Sequence, residues 1–381
     1  MRRVNHVKKL TAGLLCASML LFAGCGSTPV AESEGEDAKP LQKVTVGEVA
    51  HSIFYAPGYA AMSLGYFEEE GLEVDLLNLQ GADKVMSAMI SDEIQIGLMG
   101  PEASVYVANQ ELEDYAVNFA QLTQRDGRFL VGREPMDDFS REQLGQLERA
   151  EIIGGRAGGM PEMTLEYVLK TNGLDIGVDD ESKTVNVRTD IQFAAMGGTF
   201  ASGEGDFVTL FEPTATQFER EGIGYILTAI GAHSGNSPFT AYSATKSYME
   251  ANPEIIQKFT NAIYKGQQFV ANNSAEDIAP LLLPYFEDIS PEDMVTIVQR
   301  YKDIEAWDIN PVLEPEALDK LMDVMALAGQ LEQRADYNKI VTTEFAENAV
   351  KNVKLTEEKK KCKRKLRTHS FLFVHYGIGT I

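Results

Sequence analysis

VTVGEVAHSIFYAPGYAAMSLGYFEEEGLEVDLLNLQ, residues 44–80, reads as a strand, a helix and a second strand within one short span. VTVGEV has the β-branched alternation of a strand, YAAMSLGYFEEEG carries a helical pattern, and LEVDLLNL returns to strand chemistry. Two strands joined by a helix pair parallel through a crossover, so this stretch implies an α/β sheet. Between the first strand and the helix lies HSIFYAP, aromatic and nearly uncharged, with His51, Ser52, Phe54 and Tyr55 at the mouth of the helix. In open parallel sheets ligands bind outside the carboxyl ends of the strands, where that segment lies.

The alternation continues outward. ADKVMSAMIS and PEASVYVAN read as helices around the strand IQIGLMG, with Pro101 suited to a first helical turn, and YAVNFAQLT and FLVGR follow as strands. After a charged stretch the pattern restarts with EIIGGR, MPEMTLEYVLKTNG, TVNVR, DFVTLF, PTATQFEREG and YILTAIG, which makes two α/β units in tandem the simplest account. From about Ser247 the chain is helical in pattern, as in NPEIIQKFTNAIYKGQQFVANN and PEALDKLMDVMALAGQ. Helices without strands cannot build a third α/β domain, so they are expected to cover the first two.

Composition excludes several function classes. With 57 acidic and 34 basic residues among 381, and a net charge of −23, the chain has no general attraction for nucleic acid. Its three cysteines, Cys16, Cys25 and Cys362, all lie outside the body of the fold, which therefore has no disulfide, thiolate metal site or cysteine nucleophile. MRRVNHVKK followed by the apolar run LTAGLLCASMLLFAG has the plan of a signal peptide, expected over residues 1–24. LFAGC resembles a lipobox, which would make Cys25 a lipidated mature N-terminus, and residues 25–42 read as a flexible tether. Residues 353–381 turn basic and then apolar; the break reads either as non-native sequence or as a tail attracted to an anionic membrane.

Nucleotide and catalytic signatures are weak. GGRAGG at 154–159 lacks the G-x-G-x-x-G spacing, there is no P-loop, and the S-x-x-K quartet Ser243–Lys246 has no accompanying motif. His51 and His233 are the only histidines of the body and do not form a helical pair, so no metal is expected. Candidate ligand contacts gather instead at strand–helix junctions: His51, Ser52, Phe54 and Tyr55; Gln80 and Gly81; Gly100, Pro101 and Glu102; Thr123 and Gln124. The second unit adds Gly158, Gly159 and Met160, then Phe211 and Glu212. Glycines there let a backbone approach a ligand, and aromatic rings offer stacking surfaces.

Residues 44 to about 350, and GYFEEEGLEV with GADKVMSAM and IGLMG in particular, resemble the ABC-importer solute-binding proteins for nitrate, sulfonates, taurine and thiamine pyrimidine precursors. The resemblance implies a two-lobed periplasmic binding protein of type II topology, with a helical C-terminal segment packed on the lobes. Lobe 1 is expected over 43–131 and 238–352 and lobe 2 over 132–237, with FLVGR and SPFTAYSA as the two crossovers. It further implies a monomeric lipoprotein on the outer face of the cytoplasmic membrane, without catalysis or cofactor, that hands a small molecule to a permease and its ATPase. Fungal thiamine-pyrimidine synthases share the resemblance but carry a cysteine-rich loop absent here; a lipoprotein without transport is a further alternative. For the ligand, Arg125 and the Gly158–Gly159 backbone would suit a sulfonate or nitrate, whereas Glu102, Glu162 and Glu212 would repel one. Glu212, after an apolar strand and before Pro213, is expected to point inward, so an amine-bearing heteroaromatic such as an aminopyrimidine is favoured.

Overall fold

The computed structural model describes residues 40–110, 112–136 and 141–355. The expectations for the signal peptide, Cys25, most of the tether and residues 356–381 lie outside the described residues. In chain order the strands are β1 (Gln42–Glu48), β2 (Leu72–Asn78), β3 (Ile96–Met99), β4 (Ala116–Thr123), β5 (Phe129–Gly132) and β6 (Glu151–Ile153). They continue with β7 (Ile176–Val178), β8 (Val185–Arg188), β9 (Phe207–Leu210), β10 (Tyr225–Ala229) and β11 (Thr240–Thr245).

The opening stretch folds as its pattern requires. β1 pairs parallel with β2, Val46 facing Leu76, and on its other side with β3, Val46 facing Ile96. The intervening helix is broken once: Ala56–Leu64 ends at Gly65, whose left-handed φ of 77° starts a second short helix, Tyr66–Glu69. The first sheet has the order β2-β1-β3-β11-β4 and the second β10-β5-β9-β6-β8-β7. β4 is buried along its whole length, as a strand covered on both faces must be.

Two expectations about the crossovers are corrected. FLVG forms a strand as its pattern requires, β5, but it lies wholly in the second sheet, antiparallel to both β9 and β10, and so is not the crossover. Most of SPFTAYSA is β11, antiparallel between β3 and β4, with Tyr242 opposite Leu98 and Ala120. The chain therefore leaves the first sheet at 124–128 and returns at 235–239, and the expected boundary at 131/132 falls inside β5. These two segments touch: Ser237 N donates to the Gln124 carbonyl at 2.8 Å, and Arg125 Nε to Asn236 Oδ1 at 2.7 Å.

The C-terminal helices cover the first sheet and reach the second. Helix Pro253–Asn272 buries Ile255, Ile256, Phe259, Ile263, Phe269 and Val270 on one stripe. It comes so close to helix Ala56–Leu64 that a Cβ on Gly266 would lie 2.2 Å from the Pro57 carbonyl oxygen. Helix Pro291–Asp303 sends Arg300 to Glu212 and Glu219, and helix Pro315–Leu327 sets Lys320 3.8 Å over the Tyr167 ring. Among the described residues no helix is long and apolar enough to cross a membrane.

Candidate ligand-binding cleft

Between the two sheets lies a cleft of about 930 Å³, open mouth included. Its floor is the HSIFYAP segment. Ser52 caps the turn Ile53–Tyr55, its oxygen accepting from Phe54 N, while its hydroxyl donates 2.8 Å across to the Glu212 carbonyl. Trp307 Nε1 donates to the Phe54 carbonyl at 2.8 Å, fixing the segment from below. The Phe54 ring sits 5.4–5.7 Å from those of Phe211, Tyr301, Phe239 and Tyr55. Gly127 is required beside it, since a Cβ there would lie 2.3 Å from the Phe54 ring.

Glu102 is the polar centre of the cavity. It is 2% exposed, in the first turn of helix Glu102–Ala108, and its Oε1 accepts from Met160 N of the second lobe at 3.2 Å. Its Oε2 is buried and has no hydrogen-bond partner among the described residues. A Cβ on Gly100 would stand 1.9 Å from that oxygen, so the glycine makes room for the carboxyl. Burial, opposed by the Met160 hydrogen bond, pushes the group up to about 7. It can hold a proton or accept a hydrogen bond near neutral pH.

Of the sixteen expected contacts, the cavity wall contains Ser52, Phe54, Tyr55, Gln80, Gly81, Gly100, Glu102, Gly159, Met160 and Phe211. Of the other six, His51 and Glu212 line an adjoining space, and Pro101, Thr123, Gln124 and Gly158 line neither. Thr123 Oγ1 pairs with Thr240 Oγ1 at 2.7 Å, and Gln124 bonds the carbonyls of Glu305 and Trp307. Pro101 is a helix cap. Gly158 O accepts from Tyr106 OH at 2.9 Å, a bond that bridges the lobes, and its N donates to Glu162 Oε2 of its own lobe. His51 stands between Glu48 Oε1 at 2.9 Å and the Tyr285 carbonyl at 2.8 Å, and the Glu48 hydrogen bond raises its pKa.

Glu212 corrects the expectation that it points at a ligand. Its oxygens accept from Thr216 N and Oγ1, both at 2.8 Å, and from Arg300 Nη1 at 3.1 Å. Arg125 is likewise not a ligand donor, because its guanidinium is bound to Asn236, Glu305 and the Ile304 carbonyl at the crossover. Glu162, with one buried oxygen unpartnered, lies behind the wall and is held protonated to higher pH by burial.

A model of the NMT1-like family matches residues 37–282. A Bacillus subtilis (strain 168) relative named "Putative binding protein YtlA" is 42% identical over 319 residues, spanning 84% of this chain and 91% of its own. The chain belongs to the NMT1-like family. The 4-amino-5-hydroxymethyl-2-methylpyrimidine phosphate synthase of Aspergillus parasiticus is 25% identical over 225 residues, 57% of this chain and 63% of that one. Among solved structures, the ligand-binding component of an ABC-type import system from Staphylococcus aureus superposes with a TM-score of 0.63. The match covers 81% of this chain and 99% of that one at 12% identity, and so speaks for the fold alone. That fold is the two-lobed periplasmic binding protein, and the two sheet orders have its type II topology.

Several wall residues of this NMT1-like chain escaped sequence reasoning: Arg128, Arg156, Gln192, Phe193, Met196 and Phe239. Gln192 and Phe193 follow β8, so the junction after TVNVR was the signal for them. Arg128 had none. It is 1% exposed, and its guanidinium bonds Asp126, the Gly154 and Pro161 carbonyls and Thr209 Oγ1. Every N–H of that fork is used, so it shapes the cavity wall without offering a donor to a ligand.

Proposed function

We propose that this protein is the extracytoplasmic solute-binding component of an ABC importer, a receptor and not an enzyme. Its ligand is a small flat organic molecule bearing an N–H donor, of aminopyrimidine type. The observation that carries the ligand class is the unpartnered, buried Glu102 Oε2 inside an aromatic wall. A buried acceptor left without a donor is costly, and a ligand amine at that oxygen removes the cost. Phe54, Tyr55 and Phe211 supply rings for stacking. Against an anion stand the fully occupied Arg128 fork and the repulsion of an ionised Glu102, while Lys84 and Arg156, also in the wall, are the cations that would favour one.

The importer role draws support from the relative named a binding protein and from the structural neighbour of an ABC-type import system. The fungal relative, named for an aminopyrimidine phosphate, supports the ligand class. The body of this chain has no cysteine to match the cysteine-rich loop of those synthases, which favours a receptor. Glu102 and Met160, already in contact across the lobes, would part and meet again as the lobes hinge about 124–128 and 235–239. Lipid on Cys25 holds the monomer at the membrane, beside the permease and its ATPase.

Two measurements test this reading. Mass spectrometry of protein purified without added ligand is expected to find an aminopyrimidine cargo, and a diacylglycerol on Cys25. Calorimetry against 4-amino-5-hydroxymethyl-2-methylpyrimidine, taurine, alkanesulfonates and nitrate is expected to show binding of the pyrimidine only. Tight binding of a sulfonate or nitrate would overturn the ligand class.

A further inference from the structure

His51 leads into the cleft floor, and its ring joins that floor to the C-terminal helical layer. Nδ1 stands 2.9 Å from Glu48 Oε1 at the end of β1, and Nε2 stands 2.8 Å from the carbonyl oxygen of Tyr285 in the turn Leu283–Tyr285. The ring stacks on Phe286 with centroids 4.5 Å apart and meets Tyr59 edge-on. Tyr59 OH donates to Glu48 Oε2 at 2.7 Å and lies 3.0 Å from Nδ1.

A carbonyl oxygen only accepts, and so does an ionised carboxylate. With Glu48 ionised, both contacts are hydrogen bonds only when both ring nitrogens carry protons. A neutral ring has one N–H and must turn a lone pair toward one of the two oxygens. Glu48 is the charged group against the ring; it is buried, and its hydrogen bond raises the histidine pKa against an opposing effect of burial. Tyr59 and Tyr285 present phenols whose pKa values burial raises. Glu212, which lines the same space as His51, is matched by Thr216 and Arg300, and Glu287 and Asp288 beyond Phe286 are exposed. The His51 side chain is itself 39% exposed, so its proton exchanges with solvent.

We propose that His51 is a positioning residue for the cleft floor and that its charge is a switch. As an imidazolium it clamps the end of β1 to the turn Leu283–Tyr285; once neutral it releases one side. The next residue, Ser52, caps the turn that bears Phe54 and Tyr55 and ties it to Glu212 of the second lobe. The floor and this contact between lobes therefore loosen together as pH rises. The direction follows from linkage: with a folded pKa above the ordinary 6.5, the clamp is complete below 6.5 and is lost as pH rises through the folded value.

Trp307, the only tryptophan of the chain, reports on the floor because its indole N–H donates to the Phe54 carbonyl. Histidine nitrogen NMR and the Trp307 indole signal would be followed in ligand-free protein, so the outcome is independent of which solute binds. His51 is expected to titrate with a midpoint above 6.5, doubly protonated below it, and the Trp307 signal to move with the same midpoint. Glu48→Gln should lower both midpoints together. Glu102→Gln, which removes the titration of the cavity carboxyl, should leave both in place. A His51 midpoint at or below 6.5, a Trp307 signal unmoved through the His51 transition, or a Trp307 transition abolished by Glu102→Gln would each overturn the proposal. If Glu48→Gln does not fold, the two wild-type midpoints decide: coincidence sustains the switch and separation sinks it.

Discussion

Glu102 and Glu212 occupy corresponding places on the two lobes. Each follows a buried strand, β3 or β9, each neighbours a proline, and each lies at the start of a helix with 1–2% of its surface exposed. Burial raises both pKa values. What separates them is the number of donors within reach. Glu212 has Thr216 twice and Arg300 once; Glu102 has Met160 N on one oxygen and nothing on the other. The first carboxylate is a strut that ties the second lobe to helix Pro291–Asp303. The second keeps one oxygen without a partner among the described residues, which is what the proposed ligand contact would supply.

The largest expected effect breaks the strut. Arg300→Ala leaves Glu212 buried with Thr216 alone, and should lower the unfolding free energy by about 3 kcal/mol, as read by urea denaturation at pH 7. A loss below about 0.5 kcal/mol would show that Glu212 does not need its cation.

The next prediction exchanges the two carboxyls for amides and reads affinity. Glu102→Gln should weaken binding of the aminopyrimidine by about 1–3 kcal/mol, roughly five- to 150-fold, because the amide is a poorer acceptor for a ligand amine than a carboxylate. Glu212→Gln should move the dissociation constant by less than about threefold while costing stability. Calorimetry showing the reverse order would exchange the roles assigned to the two junctions.

The smallest effect is on pH. Glu102, with a folded value of about 7 against an ordinary 4.5, keeps its proton in the native state after the unfolded chain has lost it. The native state thus holds more protons between those values, and stability should fall as pH rises from about 5 to 8, on the order of 1–2 kcal/mol from this group. Glu162, Asp126 and Glu212 are raised by burial as well and act in the same direction. Thermal melts of Glu102→Gln should show a flatter profile and a higher Tm than wild type at pH 8. An unchanged slope would mean that Glu102 titrates elsewhere.

Much of the site was legible. Ser52, Phe54, Tyr55, Gly100, Glu102 and Met160 were readable because a strand end followed by a helix start is a local pattern, and the fold puts such junctions at one cleft. The identity of the inward carboxylate was not. Glu212 looked the better candidate from its neighbours along the chain, and the residue that ties it up, Arg300, lies 88 positions away.

By itself the sequence determined most of the strands and helices in their order, though not β7 or β11 as strands, the strand–helix junction that carries Ser52, Phe54 and Tyr55, and a cysteine-free body. Each of these follows from side-chain period or composition, which a short window contains. Tertiary structure alone decided that β11 returns to lie antiparallel between β3 and β4, and that FLVG joins the second sheet. It also decided that Arg128 spends every donor on its own lobe and the adjoining crossover, while one oxygen of Glu102 stays open. The reason is physical: a hydrogen-bonding group's role depends on which partners reach it in space, and partners brought together by folding leave no periodic trace along the chain.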